Sequence, residues 1–420
     1  MSRKQKKIIT QTTVNEMPVE NVAADKRGKK IMIICVCAFL SLVLLFGLTF
    51  GTVMAVRNSR YVMVYDNVGV DAGVASYLST YYKARYISYL KQYLQITHAE
   101  DTTSFWNSPS GVSNNTYGDY LVYETERFIS ELIASNVLFD KNAKLTDADK
   151  EAIDVAVEEV LDFRHQGSIS AFNKACKQYG FDYNDFVTAT EMLYKSWAVS
   201  VKMFGAKGEN IASNTDFCDE YLLSNYYRTK LIFIRTETEF VLDENGKRVQ
   251  GDDGNDLTRP LTDAEKAERQ QRIETIRAAV AGINSGEVSP ERFDELAELY
   301  NEGDRETHDG YYFSRYSSYT NEFAEGFPEV VTKALSLNIG DGAEVNCSVG
   351  VCFLFRDSTV FGAYKNTADD WCFSDFYALA AADFYANMVT ELAAEVEKRE
   401  KWSNISPIDL PYQTDYVARF

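Results

Sequence analysis

Histidine is scarce in this sequence, with 3 residues in 420, and neither a Cys-x-x-Cys nor a His-x-x-x-His spacing occurs. That shortage argues against a zinc site and leaves no visible nucleophile–base–orienter set for a hydrolase. Cysteine is also sparse. Cys35 and Cys37 lie in an apolar run, and the other five (Cys176, Cys218, Cys347, Cys352, Cys372) are odd in number and scattered, which excludes a disulfide scaffold. Basic residues are outnumbered 43 to 62, for a net charge of −19. Nucleic acid is therefore excluded as the main partner, since its phosphates would be repelled. No internal repeat is visible, and no cofactor motif.

What is present begins with a run, residues 31–56, free of charge and of proline. At about 1.5 Å per residue it is long enough to cross a hydrocarbon core of roughly 30 Å as one helix. Before it, eight basic residues stand against three acidic ones, a net of +5, which leaves −24 beyond residue 56. Positive charge beside the span keeps the N-terminus in the cytoplasm and sends the remainder across. A cleaved signal peptide is the rival, with Val53-Met54-Ala55 as its cleavage site, but signal-peptide cores run only about 7–15 residues. The expectation is a single-pass cell-membrane protein with its bulk outside the cytoplasm.

Beyond the span, Tyr61–Tyr65 reads as a short strand and Asp71 as a helix cap. Tyr77, Tyr81, Tyr82, Tyr86, Tyr89 and Tyr93 recur at helical spacing, forming an aromatic face that is either core or a client-binding surface. Residues 99–118 read as a long loop. Helices follow around Leu121–Val137, from a capping box at Thr146–Asp149, up to Gly180, and from Phe186 to Gly205. The character then changes. Thr229–Arg235 is strand-like, residues 243–258 are a hairpin-rich insertion, and a capping box at Thr262–Glu265 opens a helix that ends at Gly286. Ser289-Pro290 opens another helix, and strands are predicted over 343–348 and 351–355. A long apolar-striped helix runs from Phe373 to Val396 and needs a partner, which the first helical region would supply.

The middle region resembles the parvulin family of peptidyl-prolyl isomerases, and the whole arrangement resembles membrane-anchored foldases of the PrsA/SurA type. The likeness rests on Arg228–Ile234 as a first strand, Phe293-Asp294-Glu295-Leu296-Ala297 as the Phe-x-x-Leu-Ala helix, and Thr307–Phe313 in place of a Gly-Gly-Asp-Leu-Gly-Trp-Phe loop. Asn321-Glu322-Phe323, then Leu335, Gly340 and Val345, and finally Gly350-Val351-Cys352-Phe353 continue the order. The resemblance implies an α+β protein: an N-terminal transmembrane helix (31–56) and an all-helical SurA-like module (57–225) completed by the C-terminal helix and tail (363–420). A degenerate parvulin-like α+β domain (226–362) is inserted between them.

The same resemblance implies Asp309, Cys352 and Phe323 as catalytic positions, and Tyr312, Phe313, Tyr319, Phe323 and Leu231 as the substrate wall. Leu231 and Cys352 stand where the family usually has two histidines, so weak or absent isomerase activity is expected. Asp309 is equally readable as a turn residue before Gly310, and His308 as a solvated loop residue. Cys347 and Cys352 are either a cross-hairpin disulfide or two free thiols. The implied role is an anchored foldase or chaperone for unfolded secreted polypeptides. The alternatives are an active isomerase and an assembly subunit with one fixed partner.

Overall fold

The computed structural model describes residues 60–111, 114–252, 254–303, 310–365 and 371–420. The 31–56 run lies outside them, and among the described residues no helix is long and apolar enough to cross a membrane. The architecture is α+β, with helices before and after the main sheet in the chain and further helices between its strands.

A small hairpin, β1 (Met63–Tyr65) and β2 (Val68–Val70), leads into α1 (Ala72–Gln92), whose Val74 N–H is capped by the Asp71 carboxylate at 3.1 Å. The stretch expected as a loop contains a short helix, α2 (Thr103–Trp106). The reason is tertiary: Phe105 and Trp106 bury themselves against Ile87, Leu90 and Leu121, which pins the backbone. Next come α3 (Tyr117–Asn142), α4 (Asp147–His165), α5 (Ile169–Cys176) and α6 (Tyr183–Phe204). The capping box before α4 forms, with Thr146 Oγ1 accepting from the Asp149 N–H and Asp149 accepting from the Thr146 N–H. A further helix that the periodicity did not disclose, α7 (Thr215–Asn225), precedes the sheet.

The main sheet has the order β6-β3-β8-β7, all neighbours antiparallel: β3 (Tyr227–Arg235), β6 (Tyr311–Phe313), β7 (Gly342–Cys347) and β8 (Gly350–Arg356). Alternation sorts the side chains. Ile232, Ile234, Val351, Phe353 and Phe355 face α8 (Asp263–Ser285) and α9 (Glu291–Tyr300) in one apolar layer. Leu231, Phe233, Cys352 and Leu354 face the other way, toward α10 (Ser318–Gly326) and α11 (Pro328–Ala334). Only glycine serves at position 350, where φ is +149° and a Cβ would collide with the Ile234 carbonyl of the neighbouring strand. The insertion forms β4 (Thr238–Phe240) and β5 (Thr258–Pro260), with the guanidinium groups of Arg235 and Arg248 each 3.9 Å from the centre of the Phe240 ring.

The last helix, α12 (Phe376–Ala393), is shorter than predicted and packs against α3, α6 and α7. It thus finds the partner its stripe required. The described cysteines are all free. Cys352 stands opposite Val345, and Cys347 opposite Gly350. The two thiols are therefore diagonal neighbours, about 7–8 Å apart at Cα, beyond the usual disulfide reach.

Candidate functional site

The positions singled out on the sheet fall into three groups. Asp309 and His308 lie outside the described residues. Leu231, Cys352, Phe313, Tyr319 and Phe323 do converge on one face of the sheet, within a single apolar cluster. Tyr312 does not join that face: it leaves the opposite pleat of β6, and its ring lies 4.8 Å from Phe373.

That face is filled. The Tyr311 and Phe313 rings stack at 5.9 Å, and Phe323 meets both edge-on at 5.6 and 5.2 Å. Phe327 lies between Phe233 and Phe323 at 5.3 and 5.4 Å. Trp371 closes the outside, edge-to-face on Tyr319 at 4.2 Å. Phe327 and Trp371 were not singled out from sequence. Trp371 comes from the chain's return toward α12, so no local pattern ties it to this face. Phe313 and Cys352 are fully buried, and Tyr319 and Leu231 nearly so. Burial pushes the Cys352 thiol far above its ordinary value, with Cys347 adding to the shift, so it is neutral and no nucleophile. Among the described residues the thiol makes one weak hydrogen bond, donated to the Phe353 carbonyl at 3.8 Å.

An open concavity lies elsewhere, on α1. Tyr82, Tyr86, Tyr89 and Tyr93 form a ladder of stacked rings with successive centroids 6.2, 6.5 and 5.6 Å apart. Tyr82 also stacks on Phe128 of α3 at 5.0 Å. Exposure rises along the ladder, from half-buried Tyr82 and Tyr86 to 47 % at Tyr89 and 74 % at Tyr93. The rings line a groove of about 820 Å³ whose other side carries Tyr120, Glu124 and Arg127. Arg127 and Glu124 pair at 2.6 Å, and Tyr82 Oη donates to Glu124 at 3.5 Å. Burial, with Glu124 nearby, pushes the phenols of Tyr82 and Tyr86 up to about 12, so both remain hydrogen-bond donors at physiological pH. The aromatic stripe thus divides: Tyr77 is core, while the C-terminal half of the helix presents rings to solvent.

One wall of that groove is the chain's own C-terminus, which contributes Thr414 and Val417. Lys83, with a fully buried side chain, holds this tail, donating to the carbonyls of Ile408 and Leu410 at 3.0 and 2.7 Å and pairing with Asp101. Burial pulls the Lys83 ammonium below its usual value, opposed by Asp101. Farther along, Tyr77 Oη donates to the Tyr416 carbonyl at 3.0 Å, and Arg164 meets Asp415 at 2.6 Å.

No family model and no curated protein matches the chain. Solved structures that are similar include the PrsA peptidylprolyl isomerase of Bacillus anthracis, at 18 % identity over 66 % of this chain and 98 % of that one, with a TM-score of 0.21. PrsA of Bacillus subtilis gives 15 % identity over 69 % and 90 %, with a TM-score of 0.17. The foldase protein PrsA of Lactococcus lactis gives 12 % over 70 % and 95 %, also at 0.17.

Proposed function

We propose that this chain is a membrane-tethered extracytoplasmic foldase that holds unfolded secreted polypeptides, with weak or absent prolyl isomerase activity. One observation carries the reading: the tyrosine groove is open, whereas the isomerase-like face is packed with the protein's own rings. Tyrosine suits a holding surface, because it offers a large amphipathic contact area at a small cost in side-chain freedom. Apolar side chains of an extended client would lie on the stacked rings, and the phenol hydroxyls would meet its backbone carbonyls. Tethering through residues 31–56 would raise the local concentration of the groove where clients emerge.

Isomerisation asks for something different. Its barrier of about 18–20 kcal/mol comes from amide resonance, so a catalyst must receive the twisted amide in a dry pocket. The two histidine positions of the resembled family are here Leu231 and Cys352, an apolar side chain and a neutral thiol, both buried under neighbouring rings.

The test is aggregation suppression by the full chain in lipid nanodiscs, measured beside a proline-peptide isomerisation assay. Suppression is expected, falling severalfold in a Tyr89→Ser, Tyr93→Ser double variant, with isomerisation at background. Turnover that vanishes on Asp309→Ala or Phe323→Ala would make the chain an active isomerase instead. One dominant crosslinked adduct in native membranes, rather than many, would make it an assembly subunit.

A further inference from the structure

A second groove, of about 510 Å³, lies between α7 and α12. Its floor is apolar: Phe217 and Phe384 meet edge-to-face at 4.8 Å, and Met388 lies half-buried beside them. Its rim holds Glu220, Asp383 and Glu391, all exposed, and no basic residue lines it. Among the described residues none of these carboxylates has an ion-pair partner, and Asp383 merely accepts from the Asn387 amide at 3.3 Å. Some acids elsewhere do have cationic partners: Asp149 meets Lys202, Glu344 meets Arg277, and Glu302 meets Arg269. Three unmatched like charges around an apolar trough repel one another, and a cationic occupant would relieve that repulsion.

We infer that this groove binds a cationic, apolar stretch of extended polypeptide, at a site separate from the tyrosine ladder. Spacing gives the pattern. Asp383 and Glu391 are eight residues apart on one helix, about 12 Å at 1.5 Å per residue. An extended peptide covers that distance in about four residues. The occupant therefore carries arginine or lysine at both ends of a short apolar core. The core lies on Phe384 and on Met388, whose flexible thioether adapts to differing side chains. Glu220 faces the same peptide from the opposite helix.

The experiment uses the full chain in nanodiscs and two labelled peptides, in which either arginines or glutamates flank a Leu-Phe-Leu core, read by fluorescence anisotropy. The arginine peptide binds and the glutamate peptide does not. A triple variant, Glu220→Gln, Asp383→Asn, Glu391→Gln, touches only exposed side chains and weakens binding about tenfold, with a shallower salt dependence. Tyr89→Ser with Tyr93→Ser leaves the affinity unchanged, which separates this site from the holding surface. A photo-crosslinker on Asn387→Cys captures the arginine peptide, and the same label on Tyr93→Cys does not. Equal binding of both peptides, an unchanged Kd in the triple variant, or loss of binding in the tyrosine variant would each overturn the assignment.

Discussion

The sheet and the first helix of this protein are both rich in aromatic rings and use them in opposite ways. Against the sheet, Phe313 of β6 meets Tyr319 and Phe323 of α10, Phe327 packs on Phe323, and Trp371 covers Tyr319, so the rings pack on one another. On α1, Tyr82, Tyr86, Tyr89 and Tyr93 have a partner helix at one end only, so the rings stack along their own helix and the far end stays in water. Ring density alone therefore does not distinguish core from contact surface. The number of elements that arrive to cover the rings does.

That contrast can be broken most directly by truncation. Phe313→Ala should cost about 3–5 kcal/mol of stability in urea unfolding. Tyr93→Ala should cost no more than about 0.5 kcal/mol, as expected of an exposed side chain. Equal losses would mean that the two regions do not differ as described. Lys83→Met, which strips the tail carbonyls of their buried donor, should cost about 2–3 kcal/mol and make residues 406–420 susceptible to protease while the sheet stays protected. Trp371→Ala should cost about 1 kcal/mol, since half of that ring is in solvent already, and isomerase activity should stay at background. Activity that rises in this variant would reveal a competent site behind a lid.

A further effect is a pH dependence at Asp149 in the helical region. Burial of the Asp149 carboxyl works against ionisation, but hydrogen bonds from Lys202, Tyr194 and Thr146 outweigh it and hold the pKa well below the usual value. A depressed carboxyl contributes stability above its unfolded pKa of about 3.9 and loses that contribution as the pH falls toward the folded value. The helical region should therefore weaken below about pH 4 in circular dichroism melts. Asp149→Asn should flatten that acid slope, and an unchanged slope would place the sensitivity elsewhere.

Much of this was legible along the chain. The capping boxes at Thr146 and Thr262 announced their helices because their reciprocal hydrogen bonds are local, and Gly286 ended its helix in a left-handed conformation for the same reason. Three strands of the sheet, β3, β7 and β8, were visible along the chain, whereas β6 was read as part of the loop over 307–313 and is a strand because it pairs with β3. The helix α2 was hidden because its order comes from Phe105 and Trp106 docking on distant residues, not from any periodicity. The closing of the sheet face by Trp371 was equally invisible, since it depends on where the chain returns. The tail was assigned to the helical module without any of its residues being singled out, and Gln413 and Tyr416 are buried. The lysine between Tyr82 and Tyr86 was the available sign that something with carbonyls would lie against this helix.

That tail has a consequence for how the molecule is made. Tyr77 and Lys83 wait for residues 408–416 before their polar atoms are satisfied, so a chain still growing through that stretch cannot yet close its first helix against the tail.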